Sequence, residues 1–347
     1  MARMTSCLVA FGLVLLAATS APAESKPGTG PFQVAETFKV GGVGGFDYIT
    51  VDPERKLLYV PRSTHTMVID ANTGKTVADI TGQQHNHGVA IVPSVGRGFI
   101  TDGKDACVVI FDLKTNEVLG KVKAADDADG IIYDSGSGKV LVSCGDAGVL
   151  VPIAPDVDPK TGQADTAVPL GGKPEFLVAD GQGKAFVNLV DKDQVAVVDT
   201  KAMKVLDKWP TSPGGAPVGM SMDTQNRRLF VGCRKPQKLI VMSADDGKIL
   251  ADLPIGAGVD ATRFDNGYAF ASCRDGSLAI AKETSSGKFE VVQKLKTRPV
   301  AKTMDIDPTT HTAYLPTAEF GEQKDGRGRP MAKPDSFMIV VVRPSNP

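Results

Sequence analysis

One phrase recurs seven times along the chain: an apolar strand, a short turn rich in Asp, Pro and Gly, and a second strand with an aromatic or apolar anchor. It reads "FDYITVDPERKLLYV", "HGVAIVPSVGRGFIT", "DGIIYDSGSGKVLVS", "EFLVADGQGKAFVN", "VGMSMDTQNRRLFVG", "DATRFDNGYAFAS" and "KTMDIDPTTHTAYLP". The anchors Tyr59, Phe99, Leu141, Phe186, Phe230, Phe270 and Tyr314 stand 40, 42, 45, 44, 40 and 44 residues apart. A unit of this length cannot cover its own apolar face, so neighbouring units must stack. Third strands follow in "TMVIDANTG", "CVVIFDLKTN", "QVAVVDTKAM" and "LIVMSADDG", and fourth strands in "KTVADITG", "VLGKVKAAD" and "ILADLPIGAG". Four short strands at this period predict an all-β, seven-bladed β-propeller with four-stranded antiparallel blades.

Two irregularities refine the pattern. The third unit carries "PIAPDVDPKTGQAD" (152–165) as an insertion between its outer strands. The seventh stops after its third strand, "SFMIVVVRP", while "FQVAETFKVGG" (32–42) reads as a spare fourth strand. The N-terminal strand therefore closes the last blade and removes exposed sheet edges.

"LYVPRSTHTMVIDANTGKTVADI" and "AFVNLVDKDQVAVVDTKAMKVLDKW" resemble the YVTN-type β-propeller repeat, with "LYVP", "AFVN" and "LFVG" in the slot of the name-giving tetrapeptide. The resemblance spans roughly residues 32–344. It implies a fold and an exported bacterial or archaeal setting, as in YncE-like proteins. Similar rings serve lactonases, lyases, dehydrogenase subunits, DNA-binding envelope proteins and pure binding scaffolds, so it does not imply one activity.

The N-terminus agrees with export. Residues 1–23 combine Arg3, the apolar run Leu8–Ala18 and the small-x-small triplet Ala21-Pro22-Ala23, the form of a signal peptide cut after Ala23. The run is too short to span a bilayer, and no later stretch is long and apolar enough. The expectation is a single propeller domain over 24–347, periplasmic or secreted. Without the leader, acidic side chains outnumber basic ones by two. That balance disfavours nucleic acid as a partner. A monomer is expected, with a small ligand or a protein as partner.

The alignment also locates a site. In a propeller the first strand of each blade lines a central channel. Twelve residues before each anchor, or slightly fewer in units 4 and 6, lie Asp47, His87, Asp129, Glu175, Val218, Asp260 and Lys302. These should ring the channel mouth. His85 precedes His87 on the same side of an extended chain. Asp47, His87, Asp129, Glu175 and Asp260 form a candidate metal set for calcium, manganese or zinc. The crowded carboxylates should demand a cation or shared protons. A polar wall for a water-filled channel is the competing explanation.

Loops on the same face carry Arg62, His65, Asp102, Asn188, Arg234, Arg274 and Glu319. Arg234 and Arg274 share one position in "GCRK" and "SCRD" and could clamp a carboxylate or phosphate. Arg263 and Lys302 complete the candidate ligand residues. His311 should lie on the opposite face with a structural role. The loop 320–336, rich in Gly, Pro and charge, leaves blade 7 as either a lid or a mobile insertion. Cys107, Cys144, Cys233 and Cys273 have no close spacing and read as mostly buried free thiols.

No G-x-S-x-G elbow, P-loop or H-E-x-x-H occurs. "GGVGG" (41–45) has no helix after it and fails as a phosphate cradle. Two functions remain. One is an exported binding module with a metal ion or small ligand at the channel mouth. The alternative is a metal-assisted, lactonase-like hydrolase or lyase using the same ring, with His87 or His85 moving protons.

Overall fold

The structure, a computed structural model, describes residue 1, residues 30–324, residue 328 and residues 330–345. The leader read over 1–23 lies outside the described residues, apart from Met1. The described residues form seven four-stranded antiparallel sheets and a separate two-stranded hairpin. Almost no helix occurs among them, beyond one turn at Pro93–Val95. None is long and apolar enough to cross a membrane.

Each sheet is one blade of a propeller. The inner strands are Thr50–Asp52, Asn86–Val92, Ala128–Asp134, Pro174–Ala179, Pro217–Asp223, Val259–Asp265 and Asp305–Asp307. Each occupies one edge of its sheet, facing the channel. Blade 7 is completed by the N-terminal strand Phe32–Lys39, which pairs antiparallel with Met338–Pro344 from Phe32↔Pro344 to Lys39↔Met338. The closure expected from the spare strand is thus formed. The insertion in blade 3 leaves that blade a fourth strand of only two residues, Val168–Pro169.

Local chemistry sets the turns. The Asp that closes an inner strand caps the turn behind it: Asp52 accepts the N–H groups of Glu54 and Arg55, and Asp134 those of Gly136 and Ser137. The residue before the second strand is then left-handed, with φ of 56° at Lys56, 53° at Arg227 and 68° at Gly138.

The anchors fill the seams between blades. All seven are buried, with exposure from 0% at Tyr59 to 4% at Tyr314. Tyr59 of blade 1 packs among Val89, Ile100, Val109 and Phe111 of blade 2. Phe230 of blade 5 stacks on Phe264 of blade 6 with ring centroids 5.1 Å apart. Burying one such ring contributes about 1.5–3 kcal/mol, so stacking of neighbours supplies most of the stability of each unit. Cys107, Cys144, Cys233 and Cys273 are free and buried in these seams, and burial pushes the thiols of the last three up to about 12.

Candidate functional site

The seven ring residues sit where the inner strands are irregular. Pairing slips between Asn86 and Val89, Ala128 and Ile131, Pro174 and Leu177, Pro217 and Gly219, and Val259 and Ala261. In blades 1 and 7 regular pairing starts only at Thr50 and Asp305, after Asp47 and Lys302. Extra residues at such slips free a side chain from the alternating pattern and re-aim it. Glycines follow three ring residues because successive inner strands touch there. A Cβ on Gly219 would come within 2.8 Å of the Thr262 nitrogen, and one on Gly130 within 3.0 Å of the Glu175 carbonyl.

Side chains from the second strands fix the ring backbone. Thr101 Oγ1 donates to the Asp129 carbonyl at 2.7 Å, and Ser143 Oγ to that of Glu175 at 2.7 Å. Asn188 Nδ2 donates to the Val218 carbonyl at 2.8 Å, and Ser272 Oγ to that of Lys302 at 2.6 Å. Each of these residues lies two after its anchor. That recurrent polar position was readable in the sequence and was missed. Asn188, placed among the loop residues, is in fact part of this scaffold.

The ring side chains form a connected arc. Arg234 pairs with Asp260, and Asp260 also with Lys302. Lys302 Nζ lies 3.3 Å from Asp47 Oδ1, and Asp47 Oδ2 lies 2.8 Å from His87 Nδ1. His87 Nδ1 is 3.6 Å from Asp129 Oδ1. Asp47 and Asp260 thus find their counter-charges within the chain, in Lys302, Arg234 and His87. Of the five candidate metal residues, the structure brings three together. Donor atoms of Asp47, His87 and Asp129 lie within 4.8 Å of one another. Asp260 is engaged by Arg234 and Lys302, and Glu175 stands outside the cluster.

The arc separates the carboxyls electrostatically. Burial works against the Asp47 charge, but Lys302 and His87 outweigh it and hold this carboxyl down at about 2. Burial also disfavours the charged imidazole of His87, yet Asp47 and Asp129 raise it to about 9. Asp129 is pushed up to about 6 by burial, and Asp47 adds to the push. Glu175 rises to about 7 through burial and the neighbouring Asp129. Two buried atoms in the triad have no hydrogen-bond partner: Asp129 Oδ1 and His87 Nε2.

Above the arc is a cavity of about 740 Å³ lined by Asp47, His85, His87, Arg274, Lys302 and Met331, among others. His85 meets His87 edge-on, ring centroids 4.4 Å apart. Asp102 holds the His85 loop by accepting the N–H groups of Gln84 and His85. Within loop 320–336, Phe320–Lys324 and Pro330–Ala332 pair as a hairpin that borders the cavity.

Other residues fall elsewhere. Arg62 is not a solvated loop charge. It is 1% exposed, donates to the carbonyls of Gly41 and Gly45, and stacks on Phe337 at 3.8 Å. It braces the segment leading to Asp47. Arg263 does not reach the mouth: its Nε donates to Asp305 Oδ1 at 2.7 Å, deeper in the channel. His65 lies 3.8 Å from Asp79, Glu319 3.3 Å from Lys333, and His311 2.7 Å from Asp265. Tyr48 and Phe176, one residue beyond Asp47 and Glu175, meet at 4.9 Å below the ring.

No family model matches the chain, and no curated protein matches it. Among solved structures it is similar to Kuenenia stuttgartiensis hydrazine synthase, at 12% identity and a TM-score of 0.49, over 70% of this chain and 96% of that one. At that level of likeness, function has to be argued from the residues of the site.

Proposed function

We propose that the protein is an exported β-propeller binding module of the YVTN type, holding a divalent cation at its channel mouth through Asp47, His87 and Asp129. The observation that carries this reading is the triad: three donor atoms within 4.8 Å, with Asp129 Oδ1 buried and accepting no hydrogen bond. Two carboxylates and an imidazole suit manganese, iron or zinc better than calcium, which prefers an all-oxygen shell. The cation takes the place of the His87 proton, so its affinity rises with pH. Lys302 and Arg234 remain with Asp260 and limit the cation to the His87 side of the ring. A small ligand then occupies the cavity above, against the cation and Lys302. The leader over 1–23 delivers the chain outside the cytoplasm.

The alternative is a metal-assisted hydrolase or lyase. It is favoured by the contact of His85 with His87 at the rim of one cavity. His87 would be committed to the cation, leaving His85 to move protons. Elemental analysis of the purified full chain and of Asp129→Asn tests the common core of both readings. Stoichiometric manganese, iron or zinc in wild type and its loss in the variant is the expected result. Metal-free wild type with no thermal shift on adding any of these ions would sink both. Turnover of a lactone panel by the loaded wild type, abolished in His85→Ala, would favour the enzyme.

A further inference from the structure

The channel has a second compartment beyond the Tyr48–Phe176 pair. It is a cavity of about 470 Å³ formed by the regular parts of the inner strands. That volume lies within the range of about 300–1,000 Å³ typical of small-molecule sites. Its walls include Ile132, Phe176, Val178, Met222 and Phe264. Its polar side chains are few. Arg263 and Asp305 form a pair at 2.7 Å, and Asp305 Oδ2 also accepts the Val51 N–H. Arg263 further donates to the Thr262 carbonyl and lies over the Phe176 ring at 5.0 Å. Ser221 is 5% exposed, lines the cavity, and its Oγ is buried with no hydrogen-bond partner.

We propose that this chamber is a second binding site, for an uncharged, mainly apolar small molecule that carries one hydrogen-bonding group for Ser221. The walls disfavour a strongly hydrated ligand, because Thr50, Arg263 and Asp305 are already engaged with partners of the chain and most of the remaining lining is apolar. Arg263 and Asp305 neutralise each other at 2.7 Å, so a charged ligand finds no uncompensated charge of opposite sign to offset its desolvation. An uncharged donor or acceptor satisfies the orphaned Ser221 hydroxyl, since a hydroxyl serves as either partner. The apolar body packs on Met222, whose thioether adapts to irregular shapes. This site is independent of the cation triad and stands or falls without it.

Fluorescence titration of the full chain with N-phenyl-1-naphthylamine tests the proposal. The probe is uncharged, apolar and carries one N–H group. Saturable binding at one probe per chain is expected. It should weaken at least tenfold in Met222→Trp, whose bulkier ring intrudes on the chamber, and about three- to tenfold in Ser221→Ala. The anionic analogue 1-anilinonaphthalene-8-sulfonate should bind at least tenfold more weakly. Thermal unfolding of each variant checks that the fold is kept. Should Met222→Trp fail to fold, Ser221→Ala and the sulfonate carry the test. No saturable binding would mean a chamber that holds water only, and overturns the proposal. Binding unchanged in the folded variants, or equal affinity for the sulfonate, overturns it too.

Discussion

The two ends of the channel are built by the same seven strands and have opposite chemistry. At the mouth, every ring residue sits at an irregularity or before regular pairing begins, and six of the seven are ionisable. Beyond Tyr48 and Phe176 the strands pair regularly, and the walls are mainly apolar with a single ion pair between Arg263 and Asp305. The difference shows how a repeat carries function. Regular pairing sends side chains alternately into the two seams, where only apolar packing is tolerated. A slip at the start of the strand frees one side chain per blade from that constraint. Charge is affordable there because the arc supplies its own counter-charges.

The largest effect should come from breaking the arc. Lys302→Met leaves Asp47 and Asp260 short of a cation in a part-buried setting and should cost roughly 3–5 kcal/mol, read by denaturant unfolding. A cost as small as that of a surface substitution would remove the contrast between the two ends. Phe176→Ala should cost about 3 kcal/mol, the lower end for a buried aromatic because the ring borders open space. It should also join the two cavities, so that probe bound in the chamber becomes sensitive to manganese at the mouth. Insensitivity there would mean that the aromatic pair is no divider.

A smaller, pH-dependent difference should separate the ends. His87 has a folded pKa raised from its ordinary 6.5 to about 9. Its contribution is fully present below about 6.5 and is lost as pH rises through about 9. Metal-free wild type should therefore lose stability between about pH 6.5 and 9, and His87→Gln should not show this loss. Ser221→Ala should follow the wild-type profile. A flat wild-type profile would show that His87 is not charged between Asp47 and Asp129. The smallest effect is that of Ser221→Ala on stability itself: within about 1 kcal/mol, and neutral or favourable, because it removes an unsatisfied buried hydroxyl.

Much of this was legible in the sequence. The anchors gave the period, and the spare N-terminal strand matched the missing piece of blade 7. Counting back from the anchors placed Asp47, His87, Asp129, Glu175, Asp260 and Lys302 at one level of the channel. Their partnerships were not legible. Lys302 and Asp47 are 255 residues apart, and which charge meets which depends on how the ring closes. Arg62 looked like a loop charge because its neighbours are polar, and only the fold turns it onto the carbonyls of Gly41 and Gly45. The chamber was hidden for a different reason: Met222, Phe264 and Val178 look like any core residues until the channel leaves space beside them.

The central claim is that Asp47, His87 and Asp129 hold a cation at the expense of a proton. Calorimetric titration of manganese into chelator-stripped full chain, in two buffers of different ionisation enthalpy at pH 7, tests it directly. The account expects one ion per chain, a buffer-dependent heat that reports proton release, and loss of both in Asp129→Asn. Absence of binding, or binding that Asp129→Asn leaves intact, would contradict it.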